Sequence, residues 1–217
     1  MTQKYAFISD FDGTITDDDF FTLISEKYFD EKMLSPWKAY LSGKETHFNA
    51  LNAMFQQIHI DESELNNFIC QIRYDNFFRP TAELCQEKKI PMYICSAGCD
   101  YYIKELIGQD IKKYNIELIT NHGVYDKKHG LRMIAPNEDS PYYDESIGIS
   151  KKTIVEKLKS EGYTIIFAGD GPPDFEPAKQ ANTVFAKKIL LKRCQEHNIK
   201  TKSFNDFSDI YNFIKGL

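Results

Sequence analysis

The sequence predicts an α/β fold with a doubly wound, mostly parallel sheet, interrupted after its first strand by a block of helices. Three observations carry this. Short apolar runs rich in β-branched and aromatic residues recur at 5–8, 91–95, 116–119, 164–168 and 183–186, and each reads as a strand buried on both faces. Helical patterns at 81–89, 100–107, 151–159 and 173–180 alternate with them, the signature of βαβ units. Residues 17–79 hold helical patterns only.

In order along the chain, the first strand stops at Asp10 and Gly13. Phe20, Leu23, Ile24 and Tyr28 then repeat at helical spacing, as do Phe48, Leu51, Phe55 and Ile58, and Leu65, Phe68, Ile69 and Ile72. Asp61 followed by Glu64 predicts a capping box for the last of these. The expected organisation is an α/β core made of 1–16 and 80–217, with 17–79 as a helical insert. A hairpin or flap is expected over 121–134, and 137–148, polar and carrying Pro141, reads as a surface loop.

Composition narrows the function classes. Hydrophobic residues make up 42% and charged residues 27% of 217, which is ordinary for a globular chain. The 32 acids against 27 bases give −5, and such a balance argues against a dedicated nucleic-acid binder. Cys70, Cys85, Cys95, Cys99 and Cys194 are odd in number and lack Cys-x-x-Cys spacing, which predicts free thiols in a reducing compartment and no zinc cluster. No membrane-length apolar run and no signal-peptide pattern is seen, so a soluble cytoplasmic protein is expected. Oligomeric state is unreadable.

Four groups of residues carry chemistry. Asp10-Phe11-Asp12-Gly13-Thr14 closes the first strand and sets two carboxylates two residues apart, facing one way on an extended segment. Carboxylates so close repel, so one is neutral or faces a cation; an acidic turn is the plainer alternative. Gly169-Asp170-Gly171-Pro172-Pro173-Asp174 sets two more acids at another strand end. In an open α/β sheet the ligand crevice lies beyond the carboxyl ends of the strands, so both pairs share one sheet edge. Clustered hard oxygens suit Mg²⁺. Ser96-Ala97-Gly98 offers a hydroxyl and free N–H groups to a phosphate, or a simple helix cap. Lys151 opens a helix, where the dipole disfavours a cation, with Lys152 as its rival.

Together, in this order, these motifs resemble those of the haloacid dehalogenase superfamily, in its phosphoserine-phosphatase-like branch. The helical insert resembles that superfamily's C1-type cap on a Rossmann-like core. Asn121-His122 and the tail residues Phe185, Ala186, Leu190, Cys194, Glu196, Asp206, Phe207 and Ile210 are most similar to the methionine-salvage phosphatases of that branch. The chain has Ser-Ala-Gly where relatives often have Ser-Gly-Gly, and a proline pair inside the last motif; neither removes a reacting group.

The resemblance implies a Mg²⁺-dependent phosphomonoesterase acting on a small metabolite. Asp10 would be the nucleophile and Asp12 the general acid and base. The metal would be held by Asp10, Asp170 and the backbone carbonyl of Asp12, with Asp174 completing its surroundings. Ser96, Gly98 and Lys151 would hold the phosphoryl group. Asp18, Arg73 and Arg79 are candidates for substrate contact, or surface charges and ion pairs. The resemblance makes the methionine-salvage phosphate ester the first expectation for the substrate, with phosphoserine next and other small phosphomonoesters such as phosphocholine open. A receiver-like phosphoacceptor switch also places acids, a hydroxyl and a lysine around Mg²⁺, but without an insert or these two acidic motifs, and a relative that only binds would not need the full set of polar groups.

Overall fold

The structure is a computed structural model that describes residues 3–217, so the first two residues of the expected 1–16 core segment lie outside it. Strand β1 (Lys4–Ser9) is followed by four helices, α1 (Phe20–Tyr28), α2 (Ser35–Leu41), α3 (His47–Phe55) and α4 (Glu62–Cys70). Alternation then begins with α5 (Phe78–Glu87), β2 (Met92–Cys99), α6 (Asp100–Lys113), β3 (Glu117–Asp126) and β4 (Gly130–Ile134). A two-residue ladder, β5 (Tyr143–Asp144) with β6 (Gly148–Ile149), precedes α7 (Lys151–Ser160) and β7 (Tyr163–Gly169). A 3₁₀ turn at Pro172–Asp174 leads to α8 (Phe175–Gln180), β8 (Thr183–Ala186), α9 (Lys188–Glu196), β9 (Lys202–Ser203) and α10 (Phe207–Lys215).

The seven-stranded sheet runs β4-β3-β2-β1-β7-β8-β9, and within that sheet β4 alone is antiparallel to its neighbour among the described strands. β1 lies between β2 and β7, so the winding of the chain reverses there, and the crevice expected at such a reversal opens beyond the end of β1. Residues 6–9 are fully buried because both sheet faces are covered. Phe7 and Ile166 point into one apolar cluster, while Ala6, Ile8, Ile165 and Phe167 point into the other, as period-2 side chains must.

The first cluster joins sheet and inserted helices. Phe20 and Ile24 of α1, Leu51 and Phe55 of α3, and Leu65 and Ile69 of α4 are buried in it. Phe20 stacks on Tyr102 of α6 with ring centroids 4.3 Å apart, a geometry that adds to simple area burial. The helical stripes in 17–79 are therefore packing faces. α2 differs: no residue of it is fully buried, and its aromatic side chains line a cavity.

Local chemistry revises several expectations. Asp61 forms no capping box. Its carboxylate pairs with Lys127 at 2.8 Å, and Glu64 instead accepts from the Tyr28 hydroxyl at 2.9 Å. Thr46 does cap α3, accepting from Asn49 N–H at 3.2 Å. The expected hairpin over 121–134 is the β3–β4 pair, and it is the edge of the main sheet. The polar 137–148 stretch contains β5, and α8 starts later than expected because Pro172 and Pro173 favour a 3₁₀ turn first. No described helix is long and apolar enough to cross a membrane.

Candidate active site

Asp10 is placed by the sheet. Its N–H donates to the Ala168 carbonyl of β7 at 2.9 Å, and its Oδ1 accepts from Phe11 N–H at 2.7 Å. The chain then turns back on itself, with the N–H groups of Thr14, Ile15 and Thr16 all donating to the Phe11 carbonyl. Gly13 has φ +67°, and a Cβ there would collide with Asp170 Oδ2. Glycine is needed for both conformation and space.

Asp12 lines the same crevice as Asp10. Its Oδ1 accepts from the Phe20 N–H at the start of α1 at 3.0 Å. Its Oδ2 accepts from the Tyr102 hydroxyl at 2.6 Å and from Ser96 Oγ at 3.2 Å. Burial nevertheless pushes its pKa up, against the pull of those three donors.

Ser96, Ala97 and Gly98 lie within β2 and are not a helix cap. The β2–β3 register jumps between Ser96 and Cys99, so this segment bulges from the ladder. Bulges commonly re-aim backbone beside active sites. Ser96 Oγ accepts from Gly98 N–H at 3.0 Å. Asn121 braces the bulge by donating to the Ala97 and Gly98 carbonyls at 2.9 and 3.1 Å.

Lys151 is the first residue of α7, whose cap is Ser150. Its side chain is 1% exposed, and its Nζ lies 2.7 Å from both Asp10 Oδ1 and Asp174 Oδ1. Burial alone would lower its pKa, but the two carboxylates outweigh this and hold it above the usual lysine value. Lys152 pairs with Glu156 at 3.4 Å and is half exposed, so helix periodicity separates the rivals completely.

Asp174 is fully buried and caps the turn that carries Asp170: its Oδ2 accepts from the N–H groups of Asp170 and Gly171, both at 3.0 Å. Asp170 accepts from Thr14 Oγ1 at 3.1 Å and lies 3.1 Å from Lys188 Nζ. Carboxylate oxygens of Asp10, Asp170 and Asp174 all lie within 4.8 Å of one another. Asp10 is held well above the usual carboxylate range by burial and by Asp174, against the pull of Lys151. Asp170 is raised by burial and by Asp174, against the pull of Lys188. A compact group of hard oxygens with this excess of negative charge fits a divalent cation.

These residues open onto a cavity of about 490 Å³ whose lining includes Asp10, Asp12, Ser96, Gly98, Lys151 and Asp170. Asp174 lies behind that wall, where it braces Lys151 and the Asp170 turn. Asp18, Arg73 and Arg79 do not line it. Asp18 and Arg73 line a different hollow with Leu23 and Glu26 of α1, with Arg73 exposed and 3.4 Å from Asp17, and Arg79 holds both oxygens of Asp110 at 3.0 Å. Three residues around the site had no role assigned from the sequence. Thr14 supports Asp170, and Lys188, at φ +48°, reaches back to the Gly13 carbonyl at 3.2 Å. Asp19, raised to about 7 by burial and then by Asp12 and Asp170, also faces the cavity. The sequence signal for Asp19 was only its place at the start of α1.

No family model matches the chain. It is 30% identical over 229 aligned positions to the 2-hydroxy-3-keto-5-methylthiopentenyl-1-phosphate phosphatase of Lysinibacillus sphaericus (strain C3-41), covering 99% of this chain and 95% of that protein. The chain belongs to this phosphatase family. The protein of the same name from Bacillus cereus (strain ATCC 10987 / NRS 248) is 27% identical over 96% of this chain and 94% of its own length. Among solved structures, a substrate-bound phosphoserine phosphatase superposes with a TM-score of 0.71 at 17% identity, covering 98% of this chain and 99% of that one. A phosphoserine phosphatase with an analogue of a phospho-aspartyl intermediate gives 0.69 at 17% identity over the same shares. The fold is thus that of the haloacid dehalogenase phosphatases, and the family member described here is a phosphatase rather than a receiver-like switch.

Proposed function

We propose that this phosphatase hydrolyses 2-hydroxy-3-keto-5-methylthiopentenyl-1-phosphate, with Mg²⁺ as cofactor and an aspartyl-phosphate formed on Asp10. The observation that carries the reading is the convergence of Asp10, Asp12, Ser96, Gly98, Lys151 and Asp170 on one cavity, with Lys151 buried against Asp10 at 2.7 Å. The substrate follows from the full-length likeness to relatives of that name. Residues 17–79 act as the cap over a core made of 1–16 and 80–217.

Asp10 and Asp170, with the backbone carbonyl of Asp12, would hold Mg²⁺, and Asp174 would keep that set in place. The cation would supply charge neutralisation, letting a carboxylate approach a phosphate dianion. An oxygen of Asp10 forms a bond to phosphorus as the ester P–O bond breaks. Asp12, whose burial favours its protonated form, gives its proton to the departing oxygen. Asp12 then takes a proton from water as that water bonds to phosphorus and the bond to Asp10 breaks, which releases inorganic phosphate and restores both carboxyl groups. Lys151, Ser96 and Gly98 N–H hold the phosphoryl oxygens throughout, since phosphoryl transfer depends mainly on positioning and electrostatic stabilisation.

Replacing Asp10 by Asn tests this directly. Mg²⁺-dependent phosphate release from p-nitrophenyl phosphate and from the thiopentenyl ester should fall to background, and undiminished turnover would sink the nucleophile assignment. A panel of phosphate esters at equal concentration tests the substrate: phosphoserine turned over faster than the thiopentenyl ester would overturn it.

A further inference from the structure

The cavity has two chemically different ends. One holds the carboxylates, Ser96 and Lys151. The other is walled by Phe21, Trp37, Tyr40, Leu51 and Ile189, with His47 among them. The aromatic wall is continuous: Phe21 and Trp37 rings lie 4.3 Å apart, Trp37 and Tyr40 4.9 Å, and His47 meets Trp37 at 5.7 Å and Tyr40 at 5.3 Å, edge to face. The cationic side chains lining the cavity, Lys151 and Lys188, are both held by carboxylates at the sheet edge. A second negative charge on a substrate's leaving group would therefore be buried against apolar rings without a partner, which is costly.

His47 is the residue of that wall with a sealed polar atom left unpaired. Its Nδ1 is sealed from solvent and has no hydrogen-bond partner among the described residues. A sealed N–H donor without a partner is rarer and more costly than a sealed lone pair, so the neutral ring carries its proton on Nε2. The ring is also kept neutral, with its pKa lowered to about 4 by burial and then by Lys151. His47 therefore brings a neutral N–H donor to a wall whose other donors are the Trp37 indole N–H and the Tyr40 hydroxyl.

We propose that His47 is a specificity-determining residue, donating a hydrogen bond from Nε2 to a carbonyl or hydroxyl oxygen on an uncharged leaving group whose apolar tail lies against Trp37 and Phe21. The assignment rests on the reading of the chain as a phosphomonoesterase and adds which leaving groups it selects and by which atom. A neutral N–H donates to an uncharged oxygen, whereas an apolar chain lacking the oxygen leaves the N–H unpaired in the complex. Discrimination of this kind comes from the unpaired group left behind.

The test compares three probes on the Mg²⁺-supplied enzyme: hexyl phosphate, 2-oxohexyl phosphate and 3-oxohexyl phosphate. The readout is the ratio of kcat/KM for each oxo ester to that for hexyl phosphate. Comparing variants by this ratio cancels the intrinsic reactivity of the esters. In His47→Phe the ratio for the better oxo ester should fall about tenfold, the size of one lost hydrogen bond, and His47→Asn, which keeps a neutral donor, should restore part of it. His47→Leu replaces the Phe variant if that does not fold, as judged by its unfolding transition. An unchanged ratio, or an equal loss on all three esters, would overturn the proposal and make His47 a packing residue. If the unsubstituted enzyme cleaves none of the three nor p-nitrophenyl phosphate, it is the phosphomonoesterase reading that fails.

Discussion

The ammonium of Lys151 lies 2.7 Å from Oδ1 of Asp10, and the two side chains are 1% and 10% exposed. A cation and a carboxylate are thus locked together at the place where a phosphate dianion must approach. Removing one partner of a buried pair strands the other. Lys151→Ala should destabilise the fold by about 3–5 kcal/mol, read by urea unfolding, and lower kcat/KM on p-nitrophenyl phosphate at least about a hundredfold. Lys152→Ala, which breaks only a half-exposed pair with Glu156, should stay within about 0.5 kcal/mol of the parent. Equal effects from the two would refute the assignment.

Gly98 is closely hemmed in. A Cβ there would overlap the Tyr102 hydroxyl and stand 3.1 Å from Asp12 Oδ2. Gly98→Ala should displace the hydroxyl that donates to Asp12 and lower kcat about a hundredfold, the scale expected for a misplacement of about 1 Å. Removing the hydroxyl as well, in Gly98→Ala with Tyr102→Phe, should recover part of that loss. A double mutant showing simple additivity would show that the clash is not the cause.

Chelation separates the metal proposal from the fold. Treatment with EDTA should reduce phosphate release to background, with recovery on adding Mg²⁺. Saturating Mg²⁺ at a hundred times its Kd should also stabilise the protein by about 2.7 kcal/mol, because Asp10, Asp170 and Asp174 crowd within 4.8 Å. Asp170→Asn should raise the Mg²⁺ concentration for half-maximal activity about tenfold or more. Full activity in EDTA would refute metal dependence.

His47 predicts a pH dependence of stability. Burial, then Lys151, lowers its pKa from 6.5 to about 4. The unfolded chain therefore takes up a proton first, and the native state is favoured above pH 6.5. Stability falls as pH drops from 6.5 towards 4, and this contribution changes no further below that. Between pH 7.5 and 5, the urea midpoint of His47→Asn should fall less than that of the parent. Parallel losses would show that the ring titrates normally in the folded protein.

Arg73 and Arg79 serve as controls for the cavity wall. Arg73→Ala should leave KM within about twofold, because its partner Asp17 is exposed and such pairs contribute little. Arg79→Ala should leave KM alone and lower stability, since it strips the buried Asp110 of two hydrogen bonds. A large rise in KM for either would return it to the substrate site.

Some of this was legible in the chain alone because it depends on neighbours in sequence. Buried strands announce themselves as apolar runs, Asp10 and Asp170 directly follow strands, and Ser96 ends the regular part of β2 before its bulge, so alternation of strand and helix was enough to bring them to one edge of the sheet. The helical stripes of the insert were legible for the same reason, since each buries one face. The differences also had physical causes. Asp61 has the spacing of a capping box, but Lys127, 66 residues away, takes its carboxylate. Pro172 and Pro173 delayed α8.

What the sequence determined by itself was the α/β core, the acidic strand ends and the family they resemble, because those follow from periodicity and from motifs within a few residues. Only the tertiary structure decided that Lys151 and not Lys152 enters the site, that Asp174 braces the wall, that Lys188 and Thr14 reach Asp170, and that Arg79 belongs to Asp110. Each of these depends on a partner from a distant segment. The same holds for the wall of Phe21, Trp37, Tyr40 and His47. Their spacing gives no common helical face, and they meet because packing of the inserted helices leaves α2 without a fully buried residue, turned toward the cavity.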